Sequence, residues 1–335
     1  MKDVKVVTEI ERKKWNDFVY NHSQGNIFQT PEMFEVYKNT KNCEPVFLAA
    51  ASNNEVLGIL VAVIQKESGG FLGRLTARAV ISGGPLIADV NCREEIFKLL
   101  LDALDEKLKK EVIYVQFRNL YDLSSWRQYF TGKGYAFEEH LDFISDLTLG
   151  EKGLWDKLFS ARRNKIRGAQ KEGIKVMIAN NISQIEEGHG ILKKTYSRVK
   201  LPLAGKDMFM SVYNILSGKN MVSCFVATFE GAIIGILYLL RYCDNAYVWY
   251  AGSSLKHYAK HPNDILYWEA MNWCCHNGYK VFDFGGAGIP GKEYGVREFK
   301  KQFGGKLVNY GRFEKIYRPA IKKIIFFGLK MHQKI

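Results

Sequence analysis

What this 335-residue chain lacks narrows it before anything it contains. No run approaches the ~18 uninterrupted apolar residues that a membrane span needs. The opening MKDVKVVTEIERKKW is charged throughout and has no apolar leader core, so a signal peptide is not expected. The six cysteines, Cys43, Cys92, Cys224, Cys243, Cys274 and Cys275, form no C-x-x-C pair and no Cys/His cluster of zinc spacing. Reduced thiols of a cytosolic protein, with no metal, are the expectation. His257 and His261 stand four apart, but Pro262 ends any helix they could share and no H-E-x-x-H accompanies them. G-x-S-x-G is absent, and no Ser-His-Asp or Cys-His constellation is spelled out.

What is present is a globular composition, 47% apolar, long enough as a prior for two domains. The formal charge of +13 is lopsided. Residues 1–150 hold 18 Lys/Arg against 21 Asp/Glu, and residues 151–335 hold 30 against 14. A basic half suggests a polyanionic partner, whether nucleic acid, a phosphorylated substrate or an anionic membrane. A lysine-rich solubilising surface would give the same count.

The chain says nearly the same thing twice. PVFLAAASNNEVLGILVAVIQKE (45–67) and SCFVATFEGAIIGILYLLRYC (223–243) both read as hairpins with tight polar turns. Each is followed by a strand with small residues (77–89; 246–258). Then come an amphipathic helix (93–110; 263–278, the second opening on an Asn263 or Asp264 cap) and a further strand. The order predicts α/β architecture: two mixed sheets with helices on their faces, a ligand groove between two lobes, and a boundary near Gly150–Gly153. After it, LWDKLFSARRNKIRGAQKEG (154–173) predicts one helix with Arg163, Arg167 and Lys171 on an outward stripe. Cations at that spacing repel one another unless an anion meets them.

Near the C-terminus, VFDFGGAGIPGKEYGVREFKKQFGGKL runs from a strand through glycines into Arg297, Lys300, Lys301 and Lys306. Gly286-Ala-Gly288-Ile-Pro-Gly291 fits G-x-G-x-x-G, but basic residues stand where a ribose-binding acid belongs. As a P-loop it fails because Glu293 occupies the Ser/Thr position.

Arg162-Arg163-Asn164 through Gly173, Tyr250-Ala251-Gly252-Ser253, Trp268-Glu269-Ala270, Phe282-Asp283-Phe284-Gly285-Gly286 and Phe299-Lys300-Lys301-Gln302-Phe303-Gly304-Gly305 together resemble the FemAB family. These are peptidoglycan interpeptide-bridge aminoacyltransferases. GNIFQTPEMFEVYK (25–38) is similar to their N-terminal segment, with Met33 in place of a tryptophan, and the coiled-coil insertion of the staphylococcal members is missing. The resemblance spans Gly25 to about Phe313.

It implies two tandem GNAT-like domains, 1–150 and 151–318, with a basic apolar tail at 319–335. It also implies transfer of an amino acid from aminoacyl-tRNA to an amine of a UDP- or lipid-linked muropeptide, with no cofactor. Ester aminolysis passes through an oxyanion, which a fixed donor stabilises by ~3–4 kcal/mol; the resemblance gives that role to Lys300. Arg163, Arg198 and Lys200 suit the carrier phosphates. Gly286 lets backbone approach the ligand, and Arg297 and Lys301 extend the basic ladder. Tyr250 is a candidate for hydrogen bonding to peptide or sugar, and Lys38 is a further contact. Asp283 and Glu298 are candidate bases, and proton transfer within the substrate is the alternative. The tail is either packed on the second lobe or a basic amphipathic stretch on the inner membrane surface. The competing readings are a GNAT N-acyltransferase fed by acyl-CoA or acyl carrier protein, and a non-catalytic polyanion-binding protein.

Overall fold

The computed structural model describes residues 4–67 and 76–324. Its frame is set by the two hairpins. Asn53 and Asn54, at φ +47° and +70°, join β2 (Cys43–Ser52) to β3 (Glu55–Gln65). Glu230 and Gly231, at +50° and +80°, join β10 (Val222–Phe229) to β11 (Ala232–Tyr242). Two successive left-handed residues match the strand twist, which is why Asn and Gly stand there. Each hairpin carries one extra residue at the same place, Leu57 before Gly58 and Ile234 before Gly235. A Cβ at Gly58 would lie 3.0 Å from Ile96, and one at Gly235 would lie 2.9 Å from Leu266. Both glycines let a helix settle close on its sheet: Arg93–Leu108 in the first case, Pro262–His276 in the second.

The chain divides into two compact units, 1–139 with 310–335, and 140–309. In the first, β1 (Lys5–Val7), β4 (Arg78–Ser82), β6 (Tyr114–Arg118), β7 (Ala136–Glu138) and β15 (Arg312–Ile316) join the hairpin in the order β1-β2-β3-β4-β6-β15-β7. The short β5 (Leu86–Ile87) lies on β3. The second sheet combines β8 (Leu141–Asp146), β9 (Lys175–Ile178), β12 (Asn245–Ser253), β13 (Val281–Gly286) and β14 (Lys306–Asn309) with its own hairpin, in the order β14-β8-β13-β12-β11-β10-β9. Each sheet has one parallel pair, β4 with β6 and β12 with β13. Among the described residues no coiled-coil insertion interrupts either unit, and no helix is long and apolar enough to cross a membrane.

Four sequence expectations are corrected. The division falls at 139/140 and 309/310, not near 150 and 318, because β15 returns to the first sheet. There Phe313 stacks on Phe130 at 4.0 Å, and Tyr317 and Lys315 meet the Asp105 carboxylate. The basic excess is therefore shared: residues 140–309 hold 23 Lys/Arg against 15 Asp/Glu, and residues 310–335 hold 7 against 1. The predicted helix over 154–173 is two helices, Gly150–Lys157 and Ser160–Lys171, parted by extended Leu158 and Phe159. Asp264 caps nothing; His261 is the N-cap, in the left-handed region, and Asp264 pairs instead with Arg162. The start of the tail folds on the first unit, where Lys322 pairs with Glu314 and lies 4.6 Å over the Tyr114 ring. Residues 325–335, with Lys330 and Lys334, lie outside the described part.

Candidate functional site

The two parallel pairs differ in a way that locates the site. In the first unit β4 and β6 pair over their whole length, Arg78 with Tyr114 through Ser82 with Arg118. In the second the ladder stops after three pairs, at Tyr247 with Asp283, although β12 continues to Ser253 and β13 to Gly286. A bulge in each strand causes the parting. Trp249 is an extra residue between Val248 and Tyr250 against β11, and β13 slips by one residue between Asp283 and Gly286 against β8. Bulges bend the strand that carries them. In the first unit β6 runs against β15 without a shift, and β3 passes from β4 to β5 across Gly83–Pro85 while β4 and β6 stay paired.

Gly285 makes the bend possible. Its φ is +72°, and a Cβ there would sit 2.9 Å from the Val248 carbonyl oxygen. The Asp283 carboxylate accepts the Gly285 N–H at 2.7 Å, fixing the turn. The carbonyls of Gly285 and Gly286 lie at this bend. Lys300 answers them, its Nζ donating to Gly285 O at 2.7 Å and Gly286 O at 2.9 Å. It reaches the wedge from the helix Gly295–Lys301 and is 5% exposed. Burial lowers its pKa to about 8, against the opposing pull of Asp142 and Asp283. The ammonium therefore still predominates at neutral pH. Asp283 moves the other way: burial and the neighbouring Asp142 raise it well above the usual carboxylate value.

A cavity of about 330 Å³ opens at this wedge, built wholly within the second unit. Tyr196, Tyr247, Tyr267 and Tyr294 give it phenol groups, and Asn263 and Arg198 add an amide and a second cation. Burial raises the pKa of Tyr196 and of Tyr267, keeping both as neutral hydrogen-bonding groups. No carboxylate or imidazole lines it among the described residues. The first unit holds a larger, open cavity of about 1210 Å³, lined by Phe18, Tyr121 and Trp126 with acidic Asp17, Glu55 and Asp122, but its central strands stay closed.

Of the residues singled out in the sequence, Arg198, Gly286 and Lys300 come together here. Arg163 is not part of this cavity's lining: its Nη1 donates to the carbonyls of Trp155, Asp156 and Leu158, closing the end of the preceding helix. Arg297 is likewise spent on carbonyls, of Ala287 at 2.8 Å, Lys292 at 2.9 Å and Ile289, which clamps the glycine-rich loop. Tyr250 packs among Tyr196, Phe209 and Trp249. Lys200, at φ +53°, and Lys301, 3.9 Å from Glu298, are exposed. Lys38 ends the helix Pro31–Lys38 of the first unit. The phenol ring and Asn263 escaped the sequence reading, since scattered tyrosines carry no spacing signal. Among the described residues no His/Cys/Asp/Glu group could hold a metal.

Residues 160–301 match the family model for the Acetyltransferase (GNAT) domain. No curated protein matches the chain. Solved structures do. The crystal structure of FemX superposes with a TM-score of 0.74 at 17% identity, over 96% of this chain and 99% of FemX. L-PGS from Bacillus licheniformis gives 0.60 at 15%, over 96% and 97%. A tandem GNAT protein of the clavulanic acid biosynthesis pathway gives 0.61 at 9%, over 95% and 100%. This chain therefore has the tandem GNAT fold of acyltransferases, with the matched GNAT domain in the unit whose strands part.

Proposed function

We propose that the protein transfers an aminoacyl group from aminoacyl-tRNA to an amine of a UDP- or lipid-linked muropeptide. The observation that carries this reading is the Lys300 ammonium held in the opened wedge. Two of its protons are engaged by carbonyls, which leaves the third and the charge for a polarised ester. The amine attacks the ester carbon, a C–N bond forms as the C–O bond to the ribose breaks, and the amine proton passes to the departing ribose oxygen. With no carboxylate or imidazole in the cavity wall, that proton is best carried within the substrates. Asp283 is buried on its own turn and Glu298 is exposed beside Lys301, which favours proton transfer within the substrates over either as base.

The acyl-CoA alternative is disfavoured by the segment after β12. A pyrophosphate is met by glycine-rich backbone and free N–H groups at a helix start. Here there is no glycine between Gly252 and Gly278. The helix begins with Pro262, which lacks an N–H, and Asp264 puts a carboxylate in its first turn. A cytoplasmic location with peripheral contact to the inner membrane face accompanies this proposal.

A thermal-shift panel of charged tRNA, CoA esters and UDP-muropeptide tests it. Stabilisation by charged tRNA and muropeptide is expected. Stabilisation by CoA and not by tRNA would transfer the protein to the other class. Salt-sensitive binding of any polyanion without product would make it a binding protein.

A further inference from the structure

Arg162 lies at the back of the wall that carries Lys300. It is 2% exposed, and its Nη1 donates to Asp264 while Nη2 donates to the Phe299 carbonyl at 3.0 Å. The guanidinium carbon is 4.1 Å from the Phe299 ring centroid and 4.8 Å from that of Phe303. Phe299 precedes Lys300, and its carbonyl belongs to the last turn of the helix Gly295–Lys301, where intrahelical donors run out. Asp264 sits next to Asn263, which lines the cavity from the first turn of the helix Pro262–His276. One side chain thus ties together the backbone beside Lys300 and the opposite wall.

A buried ion pair of this kind is a poor way to gain stability, since apolar replacements of like volume are often neutral or better. What an apolar residue could not supply is a donor at the Phe299 carbonyl. We propose that Arg162 is a positioning residue: its guanidinium fixes the helix Gly295–Lys301 so that the Lys300 ammonium stays seated in the wedge. As a statement about catalysis this rests on the acyl-transfer reading of the cavity; as a statement about Lys300 it stands without it.

The groups around Lys300 are Asp142 on β8, Asp283 on β13, Tyr247 on β12, Tyr267 on the helix Pro262–His276, Tyr294 ahead of its own helix, and Arg198 across the cavity. Their combined effect on Lys300 depends on how deeply its ammonium is seated. If Arg162 releases the helix, the ammonium regains solvent and binds its proton more tightly. The experiment is competitive labelling of the full chain with acetic anhydride, reading Lys300 by mass spectrometry across pH, beside transfer kinetics.

Wild type should half-react near pH 8, and Arg162→Lys, which cannot bridge both partners, should move that midpoint toward 10.5 and lower kcat more than KM. Asp264→Asn keeps the bond to Phe299, so it should lower the melting temperature while leaving the Lys300 midpoint in place. If both variants only lower the melting temperature and Lys300 titrates as in wild type, the proposal is overturned. Should Arg162→Lys not fold, Asp264→Glu shifts the guanidinium with both charges kept, and it must move the midpoint the same way. A shifted midpoint in a protein whose wild type transfers nothing would uphold the positioning role and reject the aminoacyl-transfer reading.

Discussion

Lys300 and Asp283 are buried ionisable neighbours displaced in opposite directions, and each displacement has a measurable sign. Lys300 keeps its proton below about pH 8, so a transfer reaction that needs its charge should decline as pH rises through that value. In Lys300→Arg, whose guanidinium does not titrate in this range, the alkaline decline should vanish even if the rate is lower; a decline at the same pH would assign it to another group. Asp283 binds its proton more tightly in the folded chain than its ordinary 3.8. It therefore withdraws stability as pH rises above that value. Asp283→Asn still offers an oxygen to the Gly285 N–H, so it should raise the urea midpoint at pH 7 and change it little at pH 4. These placements are only partly legible in the sequence. The run of cations after the glycines marks Lys300, but nothing in the spelling separates a lysine seated on two carbonyls from Arg297 or Arg163, which are consumed by backbone. That distinction depends on which carbonyls the fold brings to each cation.

Among elements, the wedge between β12 and β13 rests on two bulges and one left-handed glycine. Gly285→Ala would place a methyl 2.9 Å from the Val248 carbonyl in a strained backbone region, at a cost of about 1–3 kcal/mol. Transfer should fall further than the melting temperature predicts, because the methyl enters the mouth of the cavity; a variant with wild-type kinetics would show that the wedge is not the site. The hairpins are readable because turn chemistry and β-branched strands are local signals. The break at Leu158–Phe159 is not, for neither proline nor glycine announces it. Its cause is tertiary: Arg163 takes the carbonyls that end the first helix, and the Phe159 N–H donates to Gln302 O. The glycines at 58 and 235 are visible as a repeat, yet their purpose, admitting Ile96 and Leu266 against the sheet, needs the packed helices.

At the scale of the whole molecule, one architecture is used twice, with the central strands parted once. The match of order between the halves is visible in sequence, but the return of β15 to the first sheet is not, since strand pairing across about 200 residues leaves no local trace. Removing residues 310–335 should therefore destabilise the first unit, which loses Phe313 from its core and Lys315 and Tyr317 from Asp105, and leave the second unit protected in hydrogen exchange. Equal loss in both units would contradict this division.

Lys300 is the charge proposed to meet the reacting carbonyl. The most direct test is single-turnover transfer from charged tRNA to UDP-muropeptide by wild type and Lys300→Ala at pH 7. A fall of about 10²–10³ in the transfer step with a retained fold is the predicted result, and an unchanged rate would contradict it.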